Sequence, residues 1–137
     1  MPRRCFVAGD IDNFKTINDA FGHDAGDIVL KTFAGILKKS TRASDICGRL
    51  GGDEFLLVLT HVAEDNIEST VNRFREQFAA LSFDFEGRSV DVTASFGVTG
   101  FDGNELREFG ALVRQVDQML YEAKRAGRNL VCSSSRK

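Results

Sequence analysis

Two acidic pairs dominate the polar chemistry of this 137-residue chain: Asp10 and Asp12 in AGDID, and Asp53 and Glu54 in RLGGDEF. Acids also gather in turns simply because turns are solvated. Brought together on neighbouring strands, however, carboxylates repel unless a cation lies between them. Hard oxygen donors select Mg²⁺ or Mn²⁺, and Mg²⁺ typically takes one or two carboxylates plus substrate phosphates. Two such ions about 4 Å apart clamp the attacking and leaving oxygens of an in-line phosphoryl transfer. Gly51 and Gly52 beside the second pair leave a backbone that no side chain crowds. Lys124 and Arg128 lie four residues apart near the end of a helical stretch. Cations there complement the helix macrodipole or serve phosphates, and Lys15 carries the same two readings.

The elements that must position these groups follow from periodicity. Residues 5–11 read as a buried strand ending in acid, followed by a polar turn or short helix over 12–21 and a break at Gly22-His23. From about Asp27, Val29, Leu30, Phe33, Ile36 and Leu37 recur at helical steps up to Lys38-Lys39. Residues 45–50 and 54–60 read as a hairpin around Gly51-Gly52, and the apolar run Phe55 to Leu59 suits an internal strand. A second helix is expected over 63–80, with Ile67, Val71, Phe74 and Phe78 on one face. A period-two hairpin is expected from Phe83 through the turn at Glu86-Gly87-Arg88 to Val98. The third helix, over 105–125, has Phe109, Leu112, Val113, Val116, Met119, Leu120 and Ala123 inside and Gly127 to end it. An edge strand follows at 130–132. This order predicts an α/β (α+β) fold: a mixed, largely antiparallel sheet covered by helices. Neither GxGxxG nor GxxxxGK[ST] is present.

Composition narrows the function classes. A net charge of -2 gives no global footprint for nucleic acid. No apolar run approaches the ~20 residues of a membrane span, and no signal peptide opens the chain. Cys5, Cys47 and Cys132 lack metal-ligand spacing and suit a reduced, cytoplasmic protein. Twelve Phe against one Tyr and no Trp point to a Phe-rich core. The division expected is one domain over 1–132 and a disordered tail over 133–137.

The strings AGDIDNFKTINDAFGHDAGD, RLGGDEF, TASFGV and LYEAKRAGRN resemble, in order and spacing, the successive motifs of GGDEF-type diguanylate cyclases. The resemblance covers nearly the whole chain. It implies a fold similar to nucleotidyl cyclases and polymerase palms. It also implies condensation of two GTP into cyclic di-GMP, by 3′-hydroxyl attack on an α-phosphate with loss of pyrophosphate.

By the same resemblance, Asp10, the Ile11 carbonyl, Asp53 and Glu54 would hold two Mg²⁺ or Mn²⁺ ions per site, with Asp10, Asp53 and Glu54 catalytic. Asn18 and Asp27 would read guanine. Asn13, Phe14 and Lys15, with Gly51, Gly52, Lys124 and Arg128, would complete the substrate site. His23 would be structural. Arg42 and Asp45, an RxxD five residues before GGDEF, resemble a product-inhibition site, with Arg73 contributing.

Catalysis would need a homodimer, each copy presenting one GTP. The alternative is a catalytically weak module that binds GTP or cyclic di-GMP; a weaker one is a docking partner for a phosphodiesterase domain. Two departures from the family pattern stand out. The usual DxLTxLxNR segment is absent, which predicts a truncated form, largely monomeric and poorly active at low concentration. Gly9 replaces a bulky apolar residue, which predicts poor packing at that point of the strand.

Overall fold

The computed structural model describes residues 3–62, 66–101 and 109–134. Five strands form the main sheet in the order β2-β3-β1-β6-β7. They are β1 (Arg3–Ile11), β2 (Ile46–Gly51), β3 (Glu54–Val62), β6 (Ala94–Phe101) and β7 (Val131–Ser133). All neighbours are antiparallel except β6 and β7, which run parallel. The helices are α1 (Phe14–Phe21), α2 (His23–Lys39), α3 (Ile67–Ala79) and α4 (Phe109–Arg125). A separate hairpin joins β4 (Ser82–Phe85) and β5 (Arg88–Asp91). Among the described residues no helix is long and apolar enough to cross a membrane.

Strand alternation divides the core in two. Val7 and Ile11 of β1, Phe55, Leu57 and Leu59 of β3, and Ala94, Phe96 and Val98 of β6 point one way. They meet Val29, Phe33 and Leu37 of α2 and Val71, Phe74 and Phe78 of α3. Phe33 is the hub, with ring centroids 5.3 Å from Phe55, 4.8 Å from Phe78 and 5.9 Å from Phe96. These offsets suit aromatic pairing. On the opposite face Phe6 and Ala8 pack under Leu112, Val116 and Leu120 of α4.

The largely antiparallel sheet, the internal position of β3 and the short edge strand after α4 agree with the sequence; that β7 runs parallel to β6 is seen only in the structure. Several boundaries do not. The second helix starts at His23 rather than near Asp27, because the buried residues of its first turns are the small Ala25 and Gly26. The alternating run ending at Val98 is not one strand. Its first part pairs with β4, and Asp12 N–H then bonds Thr93 O at 2.9 Å where the chain enters the main sheet. In β6 both faces are buried, and Ser95, Gly97 and Thr99 are the small residues that admit α4.

Phe109 is 63% exposed, touching Phe6 only edge-on, so it is not interior. The expected helical residues 63–65 and 105–108 lie outside the described residues. Ser133 closes β7 and Ser134 N–H bonds Val98 O, so the expected tail cannot begin at 133; residues 135–137 are not described. Gly9 leaves no void. A Cβ there would lie 2.7 Å from the Phe96 ring, so the phenyl group fills the space a side chain would take.

Candidate active site

The alternation that puts Phe6 and Ala8 beneath α4 carries Asp10 to the same face. Asp10 pairs in register with Glu54 across β1 and β3, and directly opposed residues share a face. The last turn of α4 crosses above them, and Lys124 donates to Asp10 Oδ2 in an ion pair. Asp10 is only 7% exposed. The Asp53 carboxyl lies within hydrogen-bonding reach of Asp10, and that of Asp117 within reach of Glu54. An acid–acid contact forms a hydrogen bond only while one partner holds a proton. Fully ionised, the cluster leaves the buried Asp10 Oδ1 and Glu54 Oε2 without a donor.

Asp117 was not singled out by sequence reasoning. The available signal was its place seven residues before Lys124, two turns back on the same face of α4.

Burial, then contact with Asp53, pushes Asp10 up to about 7 against the pull of Lys124. Burial, then the Asp117 carboxyl, pushes Glu54 up to about 7. Such groups keep their protons longer in the folded chain than in the unfolded one, where they titrate near ~4. Their contribution to stability therefore falls as pH rises from about 4 to about 7 and is level above that.

A cation beside the ionised pair reverses the loss. The orphaned oxygens and the hard donor set fit a divalent ion. Among the described residues no three His, Cys, Asp or Glu side chains form a ready-made cage. One or two carboxylates with free oxygens are the kind of donor set that Mg²⁺ completes with phosphate oxygens. Thermal denaturation should show Mg²⁺ raising the melting temperature at pH 8 and hardly at pH 5. Equal Mg²⁺ effects at both pH values would contradict this assignment.

Next to the acids the backbone turns sharply. Asn13 takes φ 57, and no side chain caps the first turn of α1. The first N–H groups of a helix have no partner within it and can receive an anion. Lys15 does not turn toward Asp10; it pairs with Asp19 at 3.1 Å on the exposed side of α1. On the hairpin Gly52 has φ 52, and Arg49 Nε donates to Gly52 O at 2.8 Å, bracing the turn that presents Asp53.

Asn18 lies against α2. A Cβ on Gly26 would fall 1.8 Å from Asn18 Oδ1, so the amide occupies the space above that glycine. Asn18 Oδ1 is buried without a partner, and the exposed Asp27 is the next residue along α2. Gly26 is thus a site residue that the sequence reading passed over. If Asn18 reads guanine as the resemblance implies, Gly26→Ala should displace its amide and weaken GTP binding at least about tenfold, an effect equal to one or two hydrogen bonds. Calorimetric titration with GTP checks this, and undiminished affinity would refute it. His23 is exposed at the start of α2.

The end of α4 is a Schellman turn. Gly127 has φ 129, Arg128 N–H bonds Ala123 O at 3.0 Å, and Gly127 N–H reaches Lys124 O at 3.4 Å. This places Arg128 just beyond Lys124. Asp12 is not part of the cation cluster. It is 4% exposed, and its carboxylate accepts from Thr93 Oγ1 and Ser95 Oγ, both at 2.7 Å, and from Asn129 N–H at 3.0 Å.

Arg42 and Asp45 lie at the far end of the β2–β3 hairpin. Asp45 accepts from Arg42 N–H and Thr60 N–H, both at 2.8 Å, so it fixes the backbone turn. Both residues line a cleft of about 320 Å³ with Arg73 of α3.

Known proteins match this arrangement. The family model described as diguanylate cyclase, GGDEF domain, matches residues 3–130. The chain belongs to the GGDEF family of diguanylate cyclases. Diguanylate cyclase DgcP of Pseudomonas aeruginosa is 47% identical over 120 residues, which are 88% of this chain and 18% of that protein. Diguanylate cyclase A of Treponema denticola is 39% identical over 91% of this chain and 33% of its own length. The GGDEF domain thus spans a third or less of these relatives.

Among solved structures, the active GGEEF domain of a diguanylate cyclase from Vibrio cholerae superposes with TM-score 0.85 at 34% identity, covering all of this chain and 85% of that one. The GGDEF domain of DgcB from Caulobacter crescentus, in complex with c-di-GMP, gives TM-score 0.88 at 26% identity, covering 96% and 78%.

Proposed function

We propose that this GGDEF domain condenses two GTP molecules into cyclic di-GMP with release of two pyrophosphates. The observation that carries the reading is the pairing of buried Asp10 with half-buried Glu54, held in register beneath Lys124 beside the start of α1. Asp10, the Ile11 carbonyl, Asp53 and Glu54 would hold two Mg²⁺ or Mn²⁺ ions. When bound, these supply Lewis-acid stabilisation of the phosphoryl oxygens and lower the pKa of the attacking hydroxyl.

The chain's own residues bind and orient the substrate. Asn18 and Asp27 read the guanine edge; an Asp carboxylate accepts from N1–H and the 2-amino group, which adenine does not offer. Backbone N–H groups at Asn13, Phe14 and Lys15 receive phosphate oxygens, and Lys124 and Arg128 neutralise their charge. Gly51 and Gly52 keep the hairpin low enough for the nucleotide to approach.

The product is twofold symmetric, so each 3′-hydroxyl attacks the α-phosphate held by a second copy. Arg42, Asp45 and Arg73 would bind product and inhibit the domain. The planar fork of Arg meets guanine O6 and N7 bidentately, and the cleft they line has room for a base.

Incubating the chain at high concentration with GTP and Mg²⁺ tests the reading. Cyclic di-GMP that disappears in Asp53→Ala is the expected result. Tight cyclic di-GMP binding lost in Arg42→Ala, with no turnover in wild type, would replace the enzyme by a binding module.

A further inference from the structure

Beyond α4 the chain adopts a left-handed conformation that Arg resists and Asn tolerates better. Arg128 has φ 65 and Asn129 φ 53, two consecutive non-glycine residues in the left-handed region, following Gly127. Such positions are strained, and they persist only where surrounding structure holds them.

The Schellman bond from Arg128 N–H to Ala123 O holds the first of them, and two further ties hold Asn129. Its backbone N–H is shared between Asp12 Oδ2 and Ser95 Oγ, each at 3.0 Å. Its side-chain Oδ1 accepts from Arg75 Nη1 of α3 at 2.8 Å. Arg75 is itself oriented by Asn72, whose Oδ1 accepts from Arg75 Nε at 2.7 Å. The Asp12 carboxylate is buried at the end of the strand that carries Asp10. A helix on one face of the sheet and the acidic strand end are therefore joined at the residue after Arg128.

We propose that Asn129 is a positioning residue for the triphosphate, with Asp12 and Arg75 as its two anchors. The inference rests on the reading of Arg128 as a phosphate ligand. Helix α4 alone fixes Lys124, but Arg128 lies past the helix end. Its direction is set by the left-handed turn, which the Schellman bonds hold on the helix side and Asn129 on the far side. Arg75 touches no substrate in this scheme; it acts through Asn129.

The test uses Arg75→Leu and Arg75→Lys in the whole chain, since Arg75, with its side chain 18% exposed, lies outside the hydrophobic core clusters. Affinity for Mg·GTP and for GMP is measured by calorimetric titration, alongside the melting temperature. Arg75→Leu should weaken Mg·GTP about fivefold, the scale of one hydrogen bond. GMP, which lacks the two outer phosphates, should bind as before, and the melting temperature should fall by no more than about 5 °C, the scale of one hydrogen bond. Arg75→Lys, which keeps one donor for Asn129, should recover most of the loss.

Unchanged Mg·GTP affinity in Arg75→Leu overturns the proposal. So does an equal loss for Mg·GTP and GMP, which would mark Arg75 as merely structural. Wild type that fails to bind Mg·GTP at all removes the functional reading, and this inference with it.

Discussion

Asp10→Asn should abolish formation of cyclic di-GMP, by about 10³-fold or more, while leaving the metal-free protein at least as stable at pH 8. The two halves of this result have one cause. Asp10 is buried beside Asp53 and directly opposite Glu54, and its pKa is pushed up to about 7 chiefly by burial. At pH 8 the folded chain therefore holds an ionised group in a place that disfavours charge.

Asparagine keeps the shape and removes that penalty. Lys124 loses its partner, but its side chain is a third exposed and can be hydrated. Activity falls because a neutral amide is a poor ligand for a hard cation, and the acids that gather it act as a unit. Such a trade of stability for function is common where a site concentrates like charge. Thermal denaturation in EDTA and a product assay on the same preparation check the prediction. A variant that loses activity and melts well below wild type at pH 8 would mean that Asp10 is a structural acid.

The second large effect lies away from the chemistry. Gly97→Ala should lower stability by about 3 kcal/mol, at the upper end of ordinary overpacking costs, and lower the melting temperature by about 10 °C. A Cβ at this position would sit 2.3 Å from the Leu120 amide nitrogen and 2.4 Å from the Val116 carbonyl oxygen. Both are backbone atoms inside α4, so no rotamer change relieves the clash. The helix must lift from the sheet. Lifting it also withdraws Lys124 from Asp10, so GTP affinity should fall with stability. At Gly9, by contrast, an added Cβ crowds the Phe96 ring at 2.7 Å and touches Phe33 at 3.5 Å, both side chains rather than backbone. Denaturant titration of Gly97→Ala and Gly9→Ala gives the comparison, with the greater loss expected at Gly97. The reverse order would contradict the packing described for α4.

The sequence carried the strand alternation and the helical stripes well, because burial enforces period. Val29, Phe33 and Leu37 on α2, and Val71, Phe74 and Phe78 on α3, are all interior as their spacing indicated. The acids at the ends of β1 and β3 were legible as a pair of clusters, and their meeting follows once β3 is placed beside β1. Asp117, Asn129 and Arg75 were not legible. Their partners lie on other elements, as with the 54-residue separation between Arg75 and Asn129, and no periodic pattern encodes such a contact. Gly26 and Gly97 were missed for the opposite reason. A glycine that matters by what it lacks leaves no mark until the neighbour occupying its space is known. The break between β5 and β6 was hidden because Val92 to Val98 keeps a period of two across the change of sheet.

The most direct measurement is the balance of products from wild type at high protein concentration. With GTP and Mg²⁺, two pyrophosphates should appear for each cyclic di-GMP, and both should vanish when EDTA replaces the metal. GTP that binds without yielding either product, or products that form unchanged in EDTA, would contradict a cation-assisted condensation at Asp10, Asp53 and Glu54.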